Sequence, residues 1–311
     1  MLILYGGGDL IKKLDEIEKY LKLRKKAVLS VAAAHNEEVL TSIKEAVDRG
    51  IIQPILVGKI DKIRSISKSI GLNLDNIELI QEDDIVKCAE IAVKLVHDNK
   101  ADFIMKGLLD TSILLKSVLN KEYGLKKDGL LSHVMIYEVE SYHKLLIISD
   151  GGMNISPNYE QKEGIIKNAI LASKSLGIEE IKVACIAAVE KVNPKMQATI
   201  DAYKLQEACE NDVFGKNVIV EGPLAFDLAV SNHASEVKGF KSKVSGDVDI
   251  IITPTIEVGN ALGKSLTYMT KSKSAGVIMG ASVPIVLTSR ADSSESKLYS
   301  IIYGALISKN I

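Results

Sequence analysis

Ala27-Val-Leu-Ser-Val-Ala-Ala-Ala34 is followed by Glu37-Glu-Val-Leu-Thr-Ser-Ile-Lys-Glu-Ala-Val-Asp-Arg49, then Gly50, then Pro54-Ile-Leu-Val57. The first run has almost no polar alternation, which predicts a strand buried on both faces. The second reads as an amphipathic helix that Gly50 ends, and the third as another buried strand. Strand, helix, strand in so few residues is one βαβ unit, and such units build a parallel sheet with helices packed on it.

The same rhythm extends towards residue 121. A helix is predicted over 60–69, a short strand over 77–80 and a helix over 84–99, whose Ile85, Cys88, Ile91 and Leu95 recur at spacings of three and four. A strand over 103–105 and a helix over 111–121 follow. Around residue 130 the pattern changes. Ser132–Val139 and Lys144–Ile148 are β-rich and separated by Glu140-Ser-Tyr-His143, which predicts an antiparallel hairpin. Alternation then resumes: helix 161–176, strand 182–187, helix 198–209, strand 217–220, helix near 223–235, strand 248–252 and helix 259–269. Strands over 276–279 and 284–287 precede a terminal helix from about Ser293.

The predicted fold class is therefore α/β, two-lobed and three-layered (α/β/α), with mostly parallel sheets. A chain of 311 residues fits two domains at ~150 residues each. The expected division is 1–128 plus 279–311 as one lobe and 129–278 as the other, with an active-site cleft between them. No repeat or Gly/Ser linker interrupts the chain.

Composition narrows the ligand. Thirty-nine basic residues face 40 acidic ones, so no excess of charge attracts nucleic acid or anionic membrane. No apolar run reaches the ~20 residues of a membrane span. Met1–Gly8 lacks a basic n-region and Gly6-Gly-Gly8 lacks GxGxxG spacing, so the segment reads as a lead-in and the expected location is the cytoplasm. Cys88, Cys185 and Cys209 sit in apolar periodic segments, the setting of inert buried thiols. The five histidines lie far apart, without metal-ligand spacing. His133, beside the lobe boundary, is the one histidine worth watching. Neither a P-loop nor a GxSxG elbow occurs.

Five polar junctions follow apolar strands and open helices: Met105-Lys-Gly-Leu-Leu-Asp-Thr111 with Lys116; Ser149-Asp-Gly-Gly-Met-Asn154 with Pro157; Glu221-Gly-Pro-Leu-Ala-Phe-Asp227; Glu257-Val-Gly-Asn260 with Lys264; and Thr288-Ser-Arg-Ala-Asp292. Backbone N–H groups at a helix start favour anions, and Arg290 offers a planar fork matched to phosphate oxygens. A single such junction is usually a capped helix, and Asp292-x-x-Glu295 itself has the form of a capping box. Together the five point to an anionic metabolite.

Read in order, Ala32-Ala-Ala-His-Asn-Glu-Glu-Val39, Pro54-Ile-Leu-Val-Gly58, Met105-Lys-Gly-Leu-Leu-Asp-Thr-Ser112, Val192-Asn-Pro-Lys-Met-Gln-Ala-Thr199, Gly222-Pro-Leu-Ala-Phe-Asp227 and Thr288-Ser-Arg-Ala-Asp-Ser293 resemble the phosphate butyryltransferases, within the phosphate acetyl/butyryltransferase family. The resemblance runs from about residue 26 onward. It implies reversible transfer of a short acyl group between coenzyme A, as substrate, and inorganic phosphate. No bound cofactor or metal is implied. It also implies an isocitrate-dehydrogenase-like fold and a homodimer or higher homo-oligomer.

By the same resemblance, Ser289 would hydrogen-bond the reacting carbonyl and Arg290 would hold phosphate. Thr111 and Lys116 fall where the acetyl branch has Thr and a phosphate-binding Arg. Gly259, Asn260 and Lys264 match a shared element, and Asp150, Asn154 and Pro157 another. Glu221 stands where the butyryl branch commonly has Asp. The acetyl branch's catalytic Asp corresponds to Ser296 here, which leaves Asp292 and Glu295 as candidate bases. Alternatives are a phosphate acetyltransferase, a metal-dependent decarboxylating dehydrogenase on the related fold, and a non-catalytic coenzyme A-binding paralogue.

Overall fold

The computed structural model describes residues 10–127, 129–288 and 292–310. In chain order, α1 (Leu14–Lys22) leads to β1 (Ala27–Ala32), α2 (Glu37–Asp48), β2 (Ile52–Gly58), α3 (Ile60–Ile70), β3 (Glu78–Gln81), α4 (Ile85–His97), β4 (Phe103–Lys106) and α5 (Thr111–Val118). Next come β5 (Ser132–Glu138), β6 (Leu146–Ser149), α6 (Tyr159–Lys174), β7 (Ile181–Ile186), α7 (Gln197–Glu210), β8 (Val218–Leu224), α8 (Phe226–Val230), α9 (Asn232–Lys238), β9 (Ile250–Ile252) and α10 (Ile256–Met269). Finally come β10 (Lys273–Met279), β11 (Ile285–Val286) and α11 (Ser294–Ser308). This is an α/β fold on mostly parallel, mixed strands.

The chain forms two compact units, one from residues 17–131 and 273–311, the other from 1–16 and 132–272. In the first, the strand order is β3-β2-β1-β4-β11-β10. Every neighbouring pair there is parallel except β10 with β11. In the second the order is β5-β6-β9-β7-β8, antiparallel at β5–β6 and parallel beyond. Met135 opposite Ile148 registers the hairpin expected around residue 140. Residues 10–16, which the sequence reading placed with the first lobe, pack with the second unit. There Ile11 N donates to the Leu176 carbonyl, and Leu14 N to Glu138 Oε2 at 2.8 Å.

The βαβ pattern read from residues 27–57 matches its physical cause. Leu29, Val31, Ala32, Leu56 and Val57 are all buried, as a parallel strand covered on both faces requires. Helix α2 starts one residue after Asn36, whose Oδ1 accepts from Val39 N at 3.0 Å.

Helix α1 was not expected, α10 opens at Ile256 rather than 259, and two further helix starts change in kind. The helix expected near 223–235 is two short ones, because β8 continues through Leu224 and Ser231 adopts an extended φ of −134°. Ser231 Oγ then caps α9 by accepting from Ala234 N. The Asp292–Glu295 capping box is absent. Ser293 is the N-cap of α11, its Oγ accepting from Ser296 N at 3.1 Å, and Glu295 is exposed.

Candidate active site

In the first unit the carboxyl ends of β1 and β4 lie side by side. Gly107 N donates to the Ala32 carbonyl and Leu108 N to the Ala33 carbonyl, both at 2.8 Å. A Cβ on Gly107 would collide with those two carbonyl oxygens, so only glycine allows this approach. The packing brings the residues after β4 against the start of α2. A cavity of about 40 Å³ is left there, lined among others by Asn36, Glu38, Lys106, Gly107, Thr288 and Lys297.

Two lysines are drawn into that wall. Lys106, the last residue of β4, is 9% exposed, and its Nζ donates to the Leu109 carbonyl at 3.3 Å. Lys297, in the first turn of α11, is 3% exposed. Its Nζ pairs with Glu38 Oε2 at 3.1 Å and donates to the Asp292 carbonyl. Thr288, buried at the end of the segment after β11, completes the wall. Thr111 opens α5 half-buried, and Lys116 lies exposed on the same helix. Ser289 and Arg290 lie outside the described residues. Asp292 is half-buried and Glu295 exposed, either side of the Ser293 cap.

In the second unit the junction after β6 is organised by one carboxylate. Asp150 is 2% exposed. Its Oδ1 accepts from Gly152 N at 2.8 Å and Met153 N at 3.0 Å. Its Oδ2 accepts from His133 N at 3.1 Å, Asn154 N at 3.3 Å and Asn154 Nδ2 at 2.6 Å. An ionised carboxylate is acceptor-only with room for about four donors, and this one is saturated within the chain. It shapes the turn. Asn260 Nδ2 reaches the same turn, donating to the Gly151 carbonyl at 3.3 Å.

Gly259 makes that contact possible. A Cβ there would lie 2.6 Å from the Asp150 carbonyl oxygen and 2.7 Å from Gly151 Cα, so only glycine lets α10 settle on the turn. Lys264, one turn beyond Asn260, is exposed, with its Nζ 5.8 Å from the Tyr268 ring centre. Asn154 and Asn260 are thus brought together around one turn, with Lys264 on the adjacent helix. His133 serves this turn through its backbone: its N–H bonds Asp150, and its carbonyl accepts from Ser149 Oγ at 2.8 Å. At the neighbouring junction, Glu221 accepts from Ser242 Oγ and from Lys243 N.

Lys297 was not singled out from the sequence, and Lys106 and Glu38 were quoted only as parts of motifs. In a periodic apolar helix Lys297 has the spacing of a solvated edge, and nothing local pairs it with α2. The thiols behave as expected of buried groups. Burial pushes Cys88 up to about 11 and Cys185 up to about 12, and raises Cys209 as well. Among the described residues no group of three or more His, Cys, Asp or Glu could hold a metal ion, and no helix is long and apolar enough to cross a membrane.

Polar strand-to-helix junctions on an α/β scaffold define a class of proteins that handle small anionic metabolites. Within that class, the chain belongs to the phosphate acetyl/butaryl transferase family, whose sequence model matches residues 83–305. It is 42% identical to a phosphate butyryltransferase of Clostridium acetobutylicum, over 97% of this chain and all of that protein. A phosphate acetyltransferase of Thermotoga maritima is 38% identical over 89% of this chain and 94% of its own length. Among solved structures, a branched-chain phosphotransacylase from Enterococcus faecalis V583 superposes with a TM-score of 0.81. It is 33% identical, covering 92% of this chain and 100% of that one.

Proposed function

We propose that the chain transfers a short acyl group reversibly between coenzyme A and inorganic phosphate, butyryl-CoA plus phosphate giving butyryl phosphate plus coenzyme A. The observation that carries this reading is the 42% identity to a phosphate butyryltransferase along 97% of the chain. A phosphate oxygen attacks the thioester carbonyl carbon, the C–O bond forms, the C–S bond breaks, and the proton ends on the coenzyme's sulfur. In reverse, the thiol, with an ordinary pKa of ~8.5, gives its proton to a base and attacks the acyl phosphate.

In this scheme Ser289 donates to the developing oxyanion and Arg290 holds phosphate. Thr111, Lys116, Asn154, Asn260 and Lys264 bind substrate, and Asp292 or Glu295 is the base. Both substrates react in one ternary complex, without a covalent enzyme intermediate. The working protein is a cytoplasmic homo-oligomer with no bound cofactor. Acetyl transfer is the second reading, favoured by the 38% identity to a phosphate acetyltransferase.

The deciding experiment is phosphate-dependent thiol release across acetyl-, propionyl-, butyryl- and valeryl-CoA. The highest kcat/KM is expected with butyryl-CoA. A maximum at acetyl-CoA would move the chain to the second reading, and no release with any of the four would sink both.

A further inference from the structure

β8 is the outermost strand of the second unit, and among the described residues β7 is its one strand neighbour. Ile181 N donates to the Asn217 carbonyl, so the backbone groups of Asn217 and Ile219 face β7. Those of Val218, Val220 and Gly222 therefore turn outward. An outward row of this kind is a template for another strand. The outermost strand of the first unit, β3, has only four residues and is polar at both ends, Glu78 and Gln81. β8 has seven, and its Val218-Ile-Val220 run is β-branched and uncharged. Neither shortness nor charge protects that run.

Helix α7 supplies what the strand lacks. Cys209 Sγ donates to the Val218 carbonyl at 3.3 Å. Burial raises the Cys209 thiol, and the Val220 N–H, bonded to the same sulfur, opposes that rise. One turn earlier, Gln206 Oε1 accepts from Gly222 N at 3.2 Å, while its Nε2 donates to Glu210 Oε1 at 3.4 Å. That second contact fixes which end of the amide faces the strand. Pro223 follows, with no N–H to offer. Two side chains on one face of α7 thus meet three successive outward positions of β8.

We propose that Cys209 and Gln206 form a side-chain lock on the edge of β8, which keeps a second copy of this chain from adding there strand to strand. The lock is independent of the acyl-transfer reading. Side chains that served packing alone would keep the edge closed when replaced by apolar ones of similar size. A lock opens under that change, because Val218, Val220 and Gly222 then have backbone groups free for a new strand.

The test compares wild type with Cys209→Val/Gln206→Met, which roughly keeps side-chain size and removes the polar atoms, and with Cys209→Ser, which keeps a donor and an acceptor. Mass is measured by sedimentation over a wide range of protein concentration, hydrogen exchange is read at Val220 and Gly222, and thermal melting checks folding. Wild type and Cys209→Ser should keep one mass at every concentration. In dilute solution the double variant should exchange its Gly222 amide ~tenfold faster, the loss of one hydrogen bond. On concentration it should grow in mass, with both amides protected again as strands add. A folded double variant that keeps the wild-type mass throughout overturns the proposal. Growth that leaves the two amides fast does so too, since association then lies elsewhere, as does equal growth in Cys209→Ser. If the double variant does not fold, Gln206→Met alone, which frees the Gly222 N–H, carries the same comparison.

Discussion

Asn154 donates its side-chain amide to Asp150 Oδ2 at 2.6 Å, the shortest of the contacts through which one buried carboxylate holds a whole turn. The backbone N–H groups of His133, Gly152, Met153 and Asn154 depend on the same side chain. Asp150→Ala leaves several of these donors without an acceptor, at ~1–3 kcal/mol for each one that water cannot reach. We expect Asp150→Ala to lower the melting temperature by several degrees, and Asn154→Ala to lower it much less. Equal melting temperatures for Asp150→Ala and wild type would show that the turn does not depend on this carboxylate.

Arg290→Lys should weaken phosphate use far more than acyl-CoA use, because an ammonium keeps the charge but loses the bidentate fork. The measurement is apparent KM for each substrate at saturating levels of the other. Normal turnover with unchanged phosphate affinity would remove Arg290 from the phosphate site.

Capping and base catalysis can be separated at the start of α11. Ser293 is the cap, so Ser293→Ala should cost about 1 kcal/mol of stability and leave turnover nearly intact. Glu295 is exposed and caps nothing, and Glu295→Gln should leave the melting temperature unchanged. If Asp292 or Glu295 is the base, its amide variant loses turnover ~100-fold or more. Full turnover in both amide variants, with loss in His133→Asn, would place the base at His133.

The three cysteines should be dispensable for chemistry. With thiols raised to about 11 in Cys88 and about 12 in Cys185, the thiolate fraction at pH 8 is on the order of one part in a thousand or less. Cys88→Ala, Cys185→Ala and Cys209→Ala are expected to keep wild-type kcat, with stability losses only. A folded but inactive variant would point to covalent catalysis.

A pH effect on stability should arise at Asp247. Burial pushes its carboxyl up, but hydrogen bonds from Lys182, Lys144 and His143 outweigh this and hold it well below the usual range. A lowered folded pKa contributes stability that is present above the unfolded value near 4 and lost as pH falls through the folded one. The side chain is 39% exposed, so solvent screening limits the effect to ~1 kcal/mol. Asp247→Asn should therefore melt lower than wild type at pH 7, with the gap closing below pH 4. A gap independent of pH would sink this account. Nearby Asp249 has the opposite sign, since burial raises its carboxyl despite Lys144.

Local patterns carried the fold well. The buried run from Ala27, the period of residues 85–95 and the β-rich pair around Glu140 each report a structure that neighbours in sequence decide. The start of α11 was ambiguous, because Asp292 and Ser293 are both good caps and only the backbone chooses between them. The break at Ser231 was hidden for a similar reason, since residues 226–238 carry helix-compatible residues throughout. The candidate site was least legible where it depends on distant partners. Nothing near Lys297 foretells Glu38, 259 residues away along the chain. The resemblance supplied Ser289 and Arg290, which periodicity alone could mark only as an anion-suited junction.

β11 lies between β4 and β10, and α11 packs on both β4 and β10, so the first unit draws its middle from residues far along the chain. A nascent chain that has emerged only as far as residue 272 already holds every strand of the second unit. Its β4, however, still lacks the partner on one side. That unpaired edge is a template for wrong pairing during synthesis. Expression of this protein should therefore respond to chaperone supply and to translation speed over residues 273–308 more than to either at the start of the message.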